Sequence, residues 1–101
     1  MSTTGGSGRK AFFDAVRSAV PLDPPVMTEC SWDALEDSFW EGLFQLPESR
    51  IVIAWLDASA YAADFPEDHE VAMSVLESVG DLLADERATS GRPKDVDVYV
   101  R

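Results

Sequence analysis

Residues 51–56 read Ile51-Val52-Ile53-Ala54-Trp55-Leu56, a continuous apolar run of strand length. A strand wetted on one face alternates apolar and polar residues. One covered on both faces has no reason to alternate, and such strands belong to parallel sheets with helices packed against them. The run therefore predicts a parallel strand buried on both faces. The flanking sequence agrees. Glu67 to about Glu86 has helical spacing, with Val71, Val75, Leu76, Val79, Leu82 and Leu83 in one apolar stripe. After a loop over Thr89 to Lys94, residues Asp95 to Val100 alternate and place Val96, Val98 and Val100 on one face. Strand, helix, strand is the pattern of an α/β layer fold. Asp57 to Pro66 connects the first strand to the long helix, with a short helix expected around Ala58 to Ala63.

Upstream, Ser31 is a plausible helix N-cap, because its hydroxyl can accept from a free N–H of the first turn. Asp33 in that turn suits the positive end of the helix dipole. The capping box is incomplete, since Ala34 stands where Glu or Gln would close it. This helix should run to about Gln45, with Pro47 just beyond. A further helix is expected over Lys10 to Val20, where Phe12, Phe13, Val16, Ala19 and Val20 recur at helical spacing and Pro21 stops the run. Pro24-Pro25 stiffens the loop that follows. Met1 to Gly8 is small, polar and glycine-rich, and reads as a flexible leader. There are no internal repeats. The expectation is one domain over residues 9–101, of α/β class, with a small parallel β-sheet of two to three strands covered by about three to four helices.

On a helical wheel, Trp32, Leu35, Phe39, Gly42, Leu43 and Leu46 share one broad side, the expected core face. Opposite them Asp33, Asp37, Trp40 and Phe44 fall within an arc of roughly 60°, following i, i+4, i+7, i+11. Glu36 and Glu41 flank that arc. Two carboxylates four apart repel each other, and large aromatics opposite a core need a cover. Either the helix is sandwiched, with Trp40 and Phe44 against the segment after Pro21, or the arc is an interface in which aromatics anchor and carboxylates specify.

The charge balance favours the interface. The 101 residues carry a net charge of −11, with 46% hydrophobic residues and a pI near 4.2. From Ser18 to Glu86 there are sixteen acidic residues and one basic residue, Arg50. Such a chain repels nucleic acid and anionic membranes and attracts cationic partners. The single cysteine, Cys30, excludes an intramolecular disulfide and a cysteine-based zinc site. No apolar run approaches membrane-spanning length and no signal-like core opens the chain, so the cytoplasm is the expected location. His69 among Glu67, Asp68 and Glu70 reads as a solvated helix start, and the acids of 64–70 lack the order of a calcium loop. Asp33 and Asp37 are not a catalytic pair: same-face neighbours on one helix do not flank a sugar-sized cleft. No cofactor or metal is expected.

At the Ser31 helix the sequence resembles the barstar family of intracellular ribonuclease inhibitors. Trp32-Asp33-Ala34-Leu35 with Asp37 four residues after Asp33, the strand Ile51 to Trp55, the helix around Ser74-Val75-Leu76 and the last strand Val96 to Val100 carry the likeness, which runs from about Phe12 to Val100. It implies a barstar-like α/β fold and a stoichiometric, one-to-one inhibitor, not an enzyme, of a small basic guanyl-preferring ribonuclease of extracellular type. Asp33 and Asp37 match the two central inhibitory aspartates, and Asp81 matches a third acidic contact. Glu36, Trp40, Glu41, Phe44 and, in the preceding loop, Glu29 would complete the partner-binding surface. The free inhibitor would be a monomer. Two features depart from the family. Met27-Thr28-Glu29-Cys30-Ser31 replaces its usual aromatic-glycine loop and Asn, and Met1 to Gly8 offers no opening strand. A general acidic adaptor, or a nucleic-acid mimic for another basic protein, is the alternative.

Overall fold

The computed structural model describes residues 1–26 and 31–101. Its elements follow in the order α1 (Gly8–Ala19), α2 (Trp32–Phe44), β1 (Arg50–Trp55), α3 (Ala58–Asp64), α4 (Pro66–Ala84) and β2 (Asp95–Val100). β1 and β2 pair in parallel, from Arg50 opposite Asp95 to Trp55 opposite Val100. Parallel neighbours need a crossover, and α3 and α4 supply it. The α/β class and the small sheet are as the sequence predicts, with two strands and four helices among the described residues.

Trp55 is the hub of the core. It is fully buried, with its ring 5.2 Å from Phe12 of α1, 5.3 Å from Tyr61 of α3 and 5.7 Å from His69 of α4. Around it pack Val16, Leu35, Phe39, Leu76, Val79 and Leu83, so every helix contributes to one cluster. His69 is thus half-buried against two aromatic rings, where the sequence suggested a solvated helix start.

The two-sided burial expected of β1 does not occur. Ile53 and Trp55 are buried and Ile51 half-buried, but Val52 and Leu56 are 55% and 60% exposed. The helices cover one face of the sheet only, and the continuous apolar run leaves Val52, Ala54 and Leu56 on the other. Two members of the expected α4 stripe, Val71 and Leu82, are likewise exposed, and Ala72 takes an inner position instead.

The first residues are not the loose leader their composition suggests. The Met1 ammonium donates to Ala54 O at 2.5 Å and Met1 O accepts from Leu56 N–H at 3.2 Å, a strand-like bracket around Trp55. Thr3 is buried: its backbone N–H and hydroxyl donate to the Asp57 carboxylate, and its Oγ1 accepts from Trp55 Nε1 at 3.2 Å. Burial pushes the Asp57 carboxyl up, but these donors and the Thr4 hydroxyl outweigh it and hold the group below the usual carboxylate range. At the other end, buried Lys94 donates from Nζ to Leu46 O (2.6 Å) and Glu48 O (2.5 Å), fixing the turn between α2 and β1.

Candidate partner-binding site

α2 begins as the sequence predicts. Ser31 Oγ accepts from Ala34 N–H at 3.1 Å, and Ser31 O accepts from Leu35 N–H. Leu35, Phe39 and Leu43 are buried, which locks the helix to the core. Trp32 packs with them, edge-on to Phe13 at 5.3 Å and 5.8 Å from Phe12. This leaves Asp33 and Asp37 outward. Both are exposed, and among the described residues neither carboxylate has a hydrogen-bond or ion-pair partner. They are held on a helix anchored to the core and face water.

Trp40 and Phe44 continue the arc toward the helix C-terminus. Their rings stack at 4.8 Å with an interplanar angle of 19°, and both are half-buried at the margin of the core. The Arg92 guanidinium sits 4.9 Å over the Phe44 ring. Cover for Phe44 therefore comes from the loop before β2. The segment after Pro21 lies elsewhere on α2: Asp23 N–H donates to Ser38 O, and a Cβ on Gly42 would come within 1.9 Å of Pro21 O. The Trp40 Nε1–H is buried without an acceptor among the described residues, an arrangement that costs about 1–3 kcal/mol.

The flanking acids differ. Glu36 is half-buried. Glu41 accepts from Gln45 Nε2 at 3.0 Å, and the same amide donates to Asp23 Oδ2 at 2.6 Å, so Glu41 is engaged in tying the Pro21 segment to α2. Asp81 is exposed on α4 and lines a separate groove with Glu77, Asp95 and Asp97, which contains none of the α2 arc. Glu29 and Cys30 lie outside the described residues. Sequence reasoning missed Arg92: a cation 48 positions from its ring leaves no periodic signal. Among the described residues no group of three or more His, Cys, Asp or Glu is placed to hold a metal ion, and no helix is long and apolar enough to cross a membrane.

Fold and site together define a small acidic α/β-layer protein whose exposed carboxylates stand on well-anchored helices. Residues 3–94 match a family model described as Barstar (barnase inhibitor), a span that takes in all four helices and β1. The chain belongs to the barstar family, a family of ribonuclease inhibitors. No curated protein and no solved structure gives a match.

Proposed function

We propose that this protein inhibits a small, basic, guanyl-preferring ribonuclease by forming a one-to-one complex that fills its active site. The observation that carries the reading is the pair Asp33 and Asp37, exposed, without a partner among the described residues, and one turn apart on a capped helix. A ribonuclease active site is a pocket of cationic side chains built for phosphates. Carboxylates on a rigid helix can take the phosphate positions through charge-assisted hydrogen bonds, with little entropy left to lose. Asp37 is the main phosphate mimic and Asp33 its neighbour. Glu36, Trp40 and Phe44 form the rim, and Glu41 contributes charge from its internal network. Asp81, on α4, is a supporting contact reached only by a partner broad enough to span both helices. The inhibitor works in the cytoplasm as a free monomer, and binds neither nucleic acid nor membrane.

The test is a titration of the cognate nuclease. Activity should vanish near one equivalent of inhibitor. Asp37→Ala should weaken binding, measured by calorimetry, far more than Glu48→Ala. Equal affinities for those two variants would defeat the assignment. Ribonuclease activity untouched at every ratio would favour an acidic adaptor for another basic protein.

A further inference from the structure

A groove of about 790 Å³ runs between α4 and β2, away from the α2 arc. Its floor is apolar, built by Met73, Gly80, Val96 and Val98. Its rim carries four carboxylates: Glu77 and Asp81 from α4, and Asp95 and Asp97 from β2. Arg50 is the one cation lining it among the described residues, and it is already bound to Asp97 at 3.3 Å.

The groove borders an unpaired strand edge. The sheet has the order β1-β2, so among the described residues no strand lies on the far side of β2. Asp95 N–H donates to Ser49 O and Arg101 N–H to Trp55 O, both toward β1. Alternation along a parallel strand then turns Asp97 and Tyr99 the same way, and points the N–H and C=O groups of Val96 and Val98 outward. An edge of this kind is a template for another strand.

We propose that this groove docks an extended segment of a partner protein, carrying Lys or Arg at alternate positions, as an added third strand on β2. One set of its side chains would lie over the apolar floor beside α4. The alternate set would reach Asp95 and Asp97 on the open face of the sheet. Main-chain hydrogen bonds to Val96 and Val98 supply affinity and the carboxylates supply selectivity. A second copy of this chain is a poor occupant, because it would bring one acidic rim against another in a protein of net charge −11. Nucleic acid is repelled for the same reason. The proposal does not depend on the ribonuclease reading and shares only Asp81 with it.

The probe is a blocked heptapeptide of alternating lysine and valine, titrated into the full isotope-labelled chain and followed by NMR. Amide shifts and slowed hydrogen exchange are expected at Val96 and Val98. The same peptide with alternate backbone nitrogens methylated, unable to pair as a strand, should bind at least about tenfold more weakly. Asp95→Asn with Asp97→Asn should weaken the unmodified peptide, and Asp33→Ala with Asp37→Ala should leave its affinity unchanged. Equal binding of the methylated peptide, or shifts confined to α2, would overturn the proposal. So would a concentration-dependent dimer that protects the same amides without peptide. Failure of the inhibitor reading would register separately, in the ribonuclease titration.

Discussion

Two glycines show how a single atom decides an outcome. Gly42 and Gly80 both lie inside helices, where Gly costs about 1 kcal/mol relative to Ala. At Gly42 a methyl group would overlap Pro21 O, so Gly42→Ala must displace the segment behind α2. At Gly80 it would meet Val96 Cβ at 3.8 Å, an ordinary contact. We expect Gly80→Ala to raise stability in urea unfolding by roughly 0.5–1 kcal/mol and Gly42→Ala to lower it; a gain in stability for Gly42→Ala would refute the close approach at Pro21. Trp55 is a larger case. Its ring touches three helices, and Trp55→Ala should cost about 3–5 kcal/mol. Asp57 adds a pH dependence. Its carboxyl is held below the usual range, so its contribution is present above the ordinary carboxylate pKa of about 4 and is lost as pH falls through the lower folded value. Asp57→Asn should remove that acid-side loss, and an unfolding midpoint with unchanged pH dependence below about pH 4 would count against the Thr3–Asp57 contacts.

At the scale of the element, α2 is a helix with two tasks. Leu35, Phe39 and Leu43 hold it to the core, while Asp33 and Asp37 repel one another on the outer face. Repulsion between exposed like charges one turn apart costs a few tenths of a kcal/mol, roughly 0.2–0.5. Asp37→Ala should therefore stabilise the free protein slightly in urea unfolding while weakening inhibition strongly. A variant that loses stability and inhibition together would mean that Asp37 supports the fold and not the interface. Ser31→Ala should cost about 1 kcal/mol, since its hydroxyl accepts from Ala34 N–H at the helix start.

For the whole molecule the governing quantity is charge. A net charge of −11 on 101 residues works against the compact state and speeds encounter with a cationic partner. Both effects are screened by salt, with a Debye length of about 10 Å at 0.1 M. Raising sodium chloride from low concentration should increase the urea midpoint of the free protein and slow its association with the ribonuclease in stopped flow. A rate insensitive to salt would be inconsistent with steering by the acidic surface. The helices cover one side of the sheet, so Val52, Leu56 and Tyr99 remain in water on the other.

The sequence by itself determined the element order, the parallel pairing, the Ser31 cap and the split of α2 into a core face and an outward acidic pair. These follow from periodicity and capping, which are local and are written in consecutive residues. It also carried the family likeness, through residues spread along most of the chain. Only the tertiary structure decided which apolar residues lose water: Val52, Leu56, Val71 and Leu82 fit their patterns, yet each stays 38–60% exposed among the described residues. It also decided that Met1 to Thr4 bind β1 and Asp57, that His69 lies against Trp55 and that Arg92 covers Phe44. Each of these joins groups far apart in sequence, where side-chain spacing on one element says nothing about what another element brings to it. The α2 helix could be read alone; its cover and the groove beside Asp81 required the rest of the chain in place.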